Sequence, residues 1–263
     1  MTAQSKPIDQ LAAALYEAEQ TREGIAPLTE RFPDLSIDEA YQIQLTNIKR
    51  KVKEGRTIVG KKIGLTSKAM QNLLGVDQPD YGHLLDSMVV ENGGTVPQSK
   101  VLHPRVEGEI AFILKEDLRG PKVTVTDVLQ ATAYVVAAIE IVDSRIKDWK
   151  IKLADTIADN ASSGLYVLGN RPVAIDQLDL AQIGMVLYKN GEVMNTGVGA
   201  AALGHPALCV AWLANQMAHF DTYLKAGEVI LSGALSAAVD AEPGDHFTVR
   251  FEKLGEVSVK FEG

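Results

Sequence analysis

The sequence predicts an α+β protein in which a helical N-terminal region precedes a longer region rich in β-strands. Apolar residues before about Val52 recur at the three- and four-residue spacing of amphipathic helices. From Ile58 onward they fall in short runs separated by turn residues, which is typical of strands. We place the boundary near Thr57 and expect an N-terminal helical cap at 1–57 and a main domain at 58–263.

Two helices are predicted in the cap. The second begins at a capping box, Ser36 followed three positions later by Glu39, and Gly55 is placed to end it. The first helix has one apolar face, formed by Ile8, Leu11, Leu15 and Ala18.

The main domain should consist mostly of strands joined by turns. Its first apolar run is I-V-G-K-K-I-G-L at 58–65, and the chain closes with V-I-L-S-G, F-T-V-R-F and V-S-V-K-F. Asn190-Gly191 lies between β-like runs, which is a strong signal for a two-residue hairpin turn. A helix around Trp212 is predicted between this hairpin and the last strands.

Three glutamates carry the strongest functional signal. Glu107 and Glu109 lie two residues apart in R-V-E-G-E-I-A-F, so their side chains project from the same face of a strand. Glu140 lies inside the apolar run 134–142, where an ionised carboxylate has a high desolvation cost. A divalent cation would offset both problems. Three carboxylates leave positions open for water or substrate, which favours Mg²⁺ or Mn²⁺ over an enclosed Ca²⁺.

Each acid also has a simpler interpretation. An E-x-E pair is most often a solvated strand edge, and Glu140 could form an ion pair with Arg105 or Arg145. Because the acids occur together on two neighbouring apolar segments, we favour the metal cluster.

Composition and charge limit the possible partners. The net charge of −8 repels phosphate backbones and acidic membrane surfaces, so no nucleic-acid or membrane partner is expected. The first ten residues are polar, and the longest apolar run is far too short for a membrane span. The single cysteine, Cys209, allows no internal disulfide, so we expect a cytoplasmic protein.

Other familiar sites are not favoured. The glycine-rich stretch that starts at Gly197 is similar to a dinucleotide fingerprint, but it follows a hairpin, so we expect a close-packed turn. The five histidines are too scattered for a helical zinc pair, and no nucleophile elbow or P-loop pattern occurs.

Six motifs occur in order along nearly the whole chain. They are G-K-K-I-G-L-T-S (60–67), Q-P-D-Y-G (78–82), P-R-V-E-G-E-I-A-F (104–112), E-I-V-D-S-R-I-K-D-W-K (140–150), A-D-N-A-S-S-G (158–164) and G-E-V-I-L-S-G (227–233). Together they resemble the 2-oxopent-4-enoate (2-hydroxypenta-2,4-dienoate) hydratase family, in the hydratase/decarboxylase branch of the fumarylacetoacetate-hydrolase superfamily. The resemblance implies a mixed β-sandwich or roll with an N-terminal helical cap, and makes 58–263 the catalytic domain.

By position, the resemblance implies that Glu107, Glu109 and Glu140 are the metal ligands, the same three acids that their surroundings indicate. It places the catalytic residues at Lys62 and Asp80. Decarboxylases of the branch tend to carry an apolar residue where this chain has Asp80, so this position favours the hydratase. The simpler alternatives are a turn residue for Asp80 and a solvated strand lysine for Lys62.

Three further polar residues are candidates for substrate binding. Asn160 and Ser162 lie in the A-D-N-A-S-S loop, and Ser232 ends the V-I-L-S run. Each could instead make a loop or strand-end hydrogen bond.

The activity that the resemblance implies is hydration of 2-hydroxypenta-2,4-dienoate to 4-hydroxy-2-oxopentanoate, in the meta-cleavage catabolism of aromatic hydrocarbons. A 2-oxo acid can chelate Mg²⁺ or Mn²⁺ through its carboxylate and 2-oxo oxygens. We expect Asp80 to act as general acid and base, and Lys62 to position the substrate carboxylate or the proton-transfer partner.

Two other functions remain open. One is a 2-oxo-3-hexenedioate (4-oxalocrotonate) decarboxylase, which should need an additional cation for the distal carboxylate. The other is a non-catalytic metal-binding assembly protein. The resemblance also implies a homo-oligomer, often a decamer, and association with a downstream aldolase or an upstream decarboxylase.

Overall fold

The computed structural model describes residues 6–263 and confirms the α+β class. The helices are α1 (Ile8–Thr21), α2 (Leu28–Arg31), α3 (Ile37–Lys53), α4 (Lys68–Leu74), α5 (Val125–Ala131), α6 (Leu153–Ala158) and α7 (Pro206–Met217). The strands are β1 (Ile58–Gly64), β2 (Asp80–Leu85), β3 (Val89–Val90), β4 (Thr95–Val96), β5 (Arg105–Leu114), β6 (Thr132–Val142), β7 (Ser163–Leu168), β8 (Gly184–Lys189), β9 (Glu192–Val198), β10 (Val229–Leu231), β11 (Val239–Asp240), β12 (His246–Phe251) and β13 (Gly255–Phe261).

The strands form two sheets that pack face to face. The larger sheet has the order β2-β1-β10-β5-β6-β7-β3, with β11 also paired to β5, and the smaller has the order β4-β13-β12-β8-β9. Strands β12 and β13 of the smaller sheet pack on β6 of the larger one. The larger sheet curves, so that β2 near one end of its strand order contacts β7 and the turn 160–162 near the other end. This curvature brings residues from distant parts of the chain to one place.

The central strands β5 and β6 have two different faces. An ideal Cβ on Gly108 would lie 2.7 Å from Val249 of the smaller sheet, so this face of β5 forms the core between the sheets. Val106, Ile110 and Phe112 share that face and are fully buried. The intervening glutamates therefore project from the opposite face.

The predicted helices of the N-terminal region are confirmed. The Ser36 side chain accepts a hydrogen bond from the Glu39 amide at 3.3 Å, and Glu39 Oε2 accepts one from the Ser36 amide at 2.8 Å, which completes the capping box. Helix α3 ends at Lys53 with Glu54 as its C-cap, followed by Gly55 with a positive φ of 92°.

Helix α3 reaches the rest of the fold through a buried glutamine. Gln44 donates hydrogen bonds to the carbonyl oxygens of Tyr81 at 3.0 Å and Ile157 at 2.8 Å, which belong to β2 and α6. The first strand begins at Ile58, and a single hydrophobic core contains residues from both sides of that point. The division into two units at 57/58 stays a prediction.

The local turn predictions also agree with the structure. Asn190 and Gly191, with φ of 54° and 87°, connect β8 to β9 as a two-residue turn with both central residues left-handed. The glycine-rich stretch from Gly197 ends β9 and leads through a short turn to α7. An ideal Cβ on Gly197 or Gly199 would clash with the carbonyl of Leu235 or Leu180, so the stretch is the close-packed turn that was expected. Among residues 6–263, no helix combines the length and the apolar character that crossing a bilayer requires.

Candidate active site and metal centre

The three glutamates converge on one face of the larger sheet. In the antiparallel register of β5 and β6, Glu107 lies directly opposite Glu140, and Glu109 follows two residues later on the same face. One carboxylate oxygen from each lies within 4.8 Å of the others. The alternative pairing of Glu140 with an arginine is wrong, because Arg105 and Arg145 pair with other acids in the structure.

Three buried carboxylate oxygens of this cluster accept no hydrogen bond from the protein. Glu109 and Glu140 are at most 1% exposed, yet Glu109 Oε1 and both oxygens of Glu140 accept no hydrogen bond. Glu109 Oε2 is held by the Gly233 amide, which donates at 2.8 Å. Buried carboxylate oxygens without partners are costly unless something else satisfies them. The donor set is entirely hard oxygen, so it fits a divalent cation such as Mg²⁺.

The electrostatics of the cluster agree with this interpretation. Burial, together with the neighbouring Glu140 charge, raises the pKa of Glu107 to about 7 and raises the pKa of Glu109 well above its ordinary value. A bound cation reverses such shifts, because its charge favours the ionised carboxylates.

Lys62 provides a positive charge beside the cluster. It projects from β1, is 3% exposed, and its Nζ lies 3.1 Å from Glu140 Oε1 while donating a hydrogen bond to the Ala161 carbonyl at 2.9 Å. Burial alone would lower the pKa of Lys62, but Glu140 and Asp80 raise it above its ordinary value, so the side chain stays an ammonium. The solvated-lysine alternative is therefore wrong. Lys61 points the other way and pairs with Glu228 at 2.6 Å.

Asp80 begins β2 and is almost fully buried, at 1% exposure. Its Oδ1 has no hydrogen-bond partner, and its Oδ2 accepts a hydrogen bond from the Thr156 hydroxyl at 3.4 Å. Burial raises the pKa of Asp80, and Lys62 opposes that shift. A buried strand residue with a free carboxylate oxygen is not the turn residue that was the alternative.

Gly64 makes room for the Asp80 carboxylate. The two residues are partners in the β1–β2 register, and an ideal Cβ on Gly64 would lie 2.2 Å from Asp80 Oδ1. Any side chain here must displace the carboxylate or separate the strands.

We expect Gly64→Ala to lower kcat for the dienoate substrate by roughly 10²-fold, the usual cost of misplacing a reacting group by about 1 Å. Steady-state kinetics and Mg²⁺ calorimetry would measure turnover and metal affinity, and the metal affinity should be little changed. Gly184→Ala is the control, because nothing lies within 4 Å of a Cβ at that strand position. Parent-like turnover in Gly64→Ala would show that the placement of Asp80 does not matter.

The loop that carries Asn160 and Ser162 has a strained backbone. Asn160, Ala161 and Ser162 have consecutive φ values of 56°, 52° and 51°. This left-handed conformation is energetically unfavourable for residues other than glycine. The Asn160 amide anchors this turn to β2, because its Oδ1 accepts from the His83 amide at 2.8 Å and its Nδ2 donates to the His83 carbonyl at 2.9 Å. The turn directs the Ala161 carbonyl at Lys62 and places Ser162 beside Thr156, which donates to Asp80.

The three residues predicted to bind substrate differ in the hydrogen bonds that they already make within the protein. Both polar ends of Asn160 are bound by β2. Ser232 Oγ donates to the Ile110 carbonyl at 2.8 Å, and the residue precedes Gly233, whose amide holds Glu109. Ser162 Oγ lies 3.2 Å from the Thr156 hydroxyl. Their contacts with a substrate stay predictions.

Neither Thr156 nor Asp159 was predicted from the sequence. Thr156 lies on α6, five of whose six residues are buried, and Asp159 follows that helix and pairs with Arg145 through its Oδ1. The available signal was a run of small and polar residues, A-D-T-I-A-D-N-A-S-S, without the charged face of a surface helix.

Comparison with known proteins assigns the chain to a family. Residues 60–262 match the family model described as fumarylacetoacetate (FAA) hydrolase, C-terminal. The chain is 49% identical over 262 residues to a 2-keto-4-pentenoate hydratase of Paraburkholderia xenovorans, covering 100% of this chain and 97% of the relative. It is 55% identical over 214 residues to a 2-hydroxypent-2,4-dienoate hydratase of Pseudomonas putida, covering 81% of this chain and 96% of that one.

A solved structure supports the same assignment. The 4-oxalocrotonate decarboxylase from Pseudomonas putida G7, complexed with magnesium and adipate, superimposes with a TM-score of 0.95 at 40% identity, over 99% of each chain. The resemblance drawn from the motifs is confirmed: the chain belongs to the fumarylacetoacetate hydrolase family, in the hydratase/decarboxylase branch that these relatives represent.

Proposed function

We propose that this protein is a metal-dependent hydro-lyase that converts 2-hydroxypenta-2,4-dienoate (2-oxopent-4-enoate) to 4-hydroxy-2-oxopentanoate in the meta-cleavage catabolism of aromatic hydrocarbons. The observation that carries the proposal is the juxtaposition of two proton-handling side chains with the carboxylate cluster: Lys62 contacts Glu140, and Asp80 is buried at 1% exposure with one carboxylate oxygen unpartnered. Relatives at 49% and 55% identity named as hydratases for this substrate support the choice.

Glu107, Glu109 and Glu140 would hold the metal, and we propose Mg²⁺ or Mn²⁺ because all three ligands are carboxylates. When bound, the ion supplies a Lewis acid that favours loss of the 2-hydroxyl proton from a chelating substrate. Glu109 Oε1 and Glu140 Oε2 accept no protein hydrogen bond and are not the atoms in the Lys62 ion pair, so they would be free to bind it.

The side chains of this chain perform the proton transfers. Lys62 stays positively charged between Glu140 and the Ala161 carbonyl, so it orients the anionic head of the substrate and stabilises negative charge that develops there. Asp80, a carboxyl outside the proposed ligand set, donates a proton at C5. It then accepts a proton from the water that adds at C4 and delivers one at C3, and the proton lost from the 2-hydroxyl balances the one gained at C5. Burial raises its pKa, which suits a group that must hold a proton for part of the cycle.

A second candidate is decarboxylation of 2-oxo-3-hexenedioate. The overlay with 4-oxalocrotonate decarboxylase favours it, because the two chains share their fold over 99% of their lengths. The hydratase ranks first because Asp80 supplies a buried acid/base group at the position where the resemblance implies an apolar residue in decarboxylases.

The decisive experiment incubates the protein with Mg²⁺ and each substrate in turn and identifies the products by mass. Hydration adds one water to 2-hydroxypenta-2,4-dienoate, whereas decarboxylation removes CO₂ from 2-oxo-3-hexenedioate. We expect the first and not the second. Loss of CO₂ without hydration would put the decarboxylase first, and no turnover of either substrate would favour the non-catalytic assembly protein.

We further propose a cytoplasmic homo-oligomer, with a decamer as the assembly that the resemblance implies. Assembly is supported by the edge strand β9, where the apolar residues Val193 and Met194 are 58% and 45% exposed. A reducing compartment is supported by the buried free thiol of Cys209. The product is a 4-hydroxy-2-oxo acid, which an aldolase can cleave, so a downstream aldolase is a fitting partner, as is an upstream decarboxylase that supplies the dienoate. Light scattering of the purified protein, alone and mixed with such an aldolase, tests both points.

A further inference from the structure

A row of buried oxygen atoms leads away from Asp80. Thr156 Oγ1 lies 3.4 Å from Asp80 Oδ2 and 3.2 Å from Ser162 Oγ, which in turn lies 3.5 Å from Asp159 Oδ2. All four residues are at most 5% exposed. The row thus joins two carboxyl groups through two hydroxyl groups.

Hydroxyl groups in this position can point in either of two directions. In one, Asp159 carries a proton and donates to Ser162, which donates to Thr156, which donates to the Asp80 carboxylate. In the other, every donor has reversed, and Asp80 carries the proton. The change breaks three O–H bonds and forms three, and its net result is the transfer of one proton from Asp159 Oδ2 to Asp80 Oδ2.

We propose that Thr156 and Ser162 relay protons between Asp80 and Asp159, so that Asp80 can be reprotonated while substrate closes the site. The proposal rests on the hydratase function above. In that reaction the 2-hydroxyl proton leaves the substrate as C5 gains one, so two protons are in transit beside one acid/base carboxyl. Thr156 and Ser162 act here through Asp80, as positioning and relay residues.

The far end of the row opens toward solvent. Asp159 lines a cleft of about 370 Å³ between the N-terminal helices and β7, together with polar residues that include Glu19 and Lys51. Ser144 Oγ donates to Asp159 Oδ2 at 2.9 Å, and Arg145 pairs with Oδ1, which fixes the carboxyl in place. Burial raises the pKa of Asp159 above its ordinary value, against the opposing effect of Arg145, and the position of the carboxyl at the cleft allows proton exchange with solvent there.

The O···O distances within the row determine when a proton can be transferred along it. The contacts of 3.4 Å and 3.5 Å at its two ends are longer than the usual O–H···O distance, by roughly 0.7 Å. A small closing movement of Asp80 and of the turn at Ser162 is therefore required before a proton passes. Hydrogen bonds that only hold Asp80 in place would use the same atoms. Kinetic measurements are therefore needed to distinguish a relay from simple anchoring.

The test compares Thr156→Val, which keeps the shape but removes the hydroxyl, with Thr156→Ser, which keeps the hydroxyl. Two rates are measured: hydration of the dienoate, and uptake of deuterium from D₂O at C3 of 2-oxopentanoate, a saturated 2-oxo acid. In Thr156→Val we expect both to fall at least about 10-fold, with KM changed less than about twofold, because binding does not use the relay. Thr156→Ser should recover most of both rates.

The control is Thr132→Val. Thr132 is also buried and donates to the Val128 carbonyl, at the end of β6 far from Glu140. It should match the parent in both assays. Circular dichroism and Mg²⁺ titration check that each variant is folded, and Ser162→Ala replaces Thr156→Val if the latter does not fold. Ser162→Ala should likewise lower the rates while leaving KM little changed.

Two results would overturn the relay. Equal rates in Thr156→Val and the parent would do so, and so would equal impairment of the Val and Ser variants, which would indicate packing alone. A raised KM with parent-like kcat in Ser162→Ala would instead make Ser162 a substrate contact. A parent protein that exchanges C3 protons but does not hydrate the dienoate would refute the hydratase function, and the exchange rates would still decide the relay.

Discussion

Glu107→Gln should weaken Mg²⁺ binding and, in the same protein without metal, raise the melting temperature. The two effects have opposite signs because Glu107 lies opposite Glu140 in the β5–β6 register and contributes a like charge to a desolvated cluster. With metal, that charge is needed. Without metal, it repels its neighbours, and replacing it with a neutral amide of similar shape removes the repulsion.

Glu140→Gln should weaken Mg²⁺ binding as well, but it should lower the metal-free melting temperature. Glu140 is the acid in contact with Lys62, at 3.1 Å, so its loss leaves a buried ammonium with less compensating charge. For both variants we expect a loss of affinity at least as large as the about 10- to 100-fold typical of losing a group that only supports a metal ligand.

Calorimetric titration with Mg²⁺ and thermal unfolding in EDTA would measure these effects, with the exposed strand residue variant Glu192→Gln as the control. The pH dependence gives a further check. The pKa of Glu107 is raised to about 7 in the folded protein, above its ordinary value, so its ionisation destabilises the metal-free fold increasingly as pH rises to about 7. The stabilisation by Glu107→Gln should therefore be larger at pH 8 than at pH 6.

Chelation should abolish turnover of the parent, and Mg²⁺ or Mn²⁺ should restore it. A parent-like Mg²⁺ titration in both glutamine variants, or full turnover in the presence of EDTA, would show that the cluster is not the metal centre.

The parts of the site that the sequence predicts are those set by local geometry. The two-residue period of a strand is enough to place Glu107 and Glu109 on one face, and the burial of Glu140 follows from its apolar neighbours. The capping box at Ser36 and the turn at Asn190-Gly191 are likewise determined by a few adjacent residues.

The partners of those residues depend on pairing between distant segments. Lys62 and Glu140 are 78 positions apart, and the sequence offered arginines as partners for Glu140 equally well. Lys62 is the partner of Glu140 because the larger sheet curves until β2 contacts the turn before β7. Strand β1, which carries Lys62, is paired with β2 and moves toward Glu140 with that curvature. The hydrophobic periodicity of the sequence does not predict that curvature of the sheet.

The turn at Asn160 shows a second limit. A left-handed turn of three residues other than glycine has no favourable local signal, because each residue alone disfavours the conformation. Tertiary contacts impose it: the Asn160 amide is bound on both sides by the His83 backbone, and Lys62 binds the Ala161 carbonyl. The polar residues of this loop are therefore predictable from the sequence, whereas the alignment of Thr156, Ser162 and Asp159 is not.

Asp80→Asn should lower kcat by roughly 10²-fold or more while leaving KM and Mg²⁺ affinity little changed. The amide keeps the size of the side chain and can still accept a hydrogen bond from Thr156, so β2 and the space left by Gly64 are preserved. What is lost is a group that can take up and release a proton. Asp80 is not one of the three acids whose oxygens lie within 4.8 Å, so the metal site should remain intact.

Lys62→Met is the informative companion variant. It should impair kcat to a similar extent and also raise KM, because it removes the cation that we assign to the substrate carboxylate. Oxalate, which can chelate a metal as a 2-oxo acid does, should still bind to both variants, and its binding can be measured by calorimetry. If Asp80→Asn hydrates 2-hydroxypenta-2,4-dienoate at the parent rate, Asp80 is not the acid/base group. The decarboxylase would then become the better assignment, since the buried acid at this position is what ranks the hydratase above it.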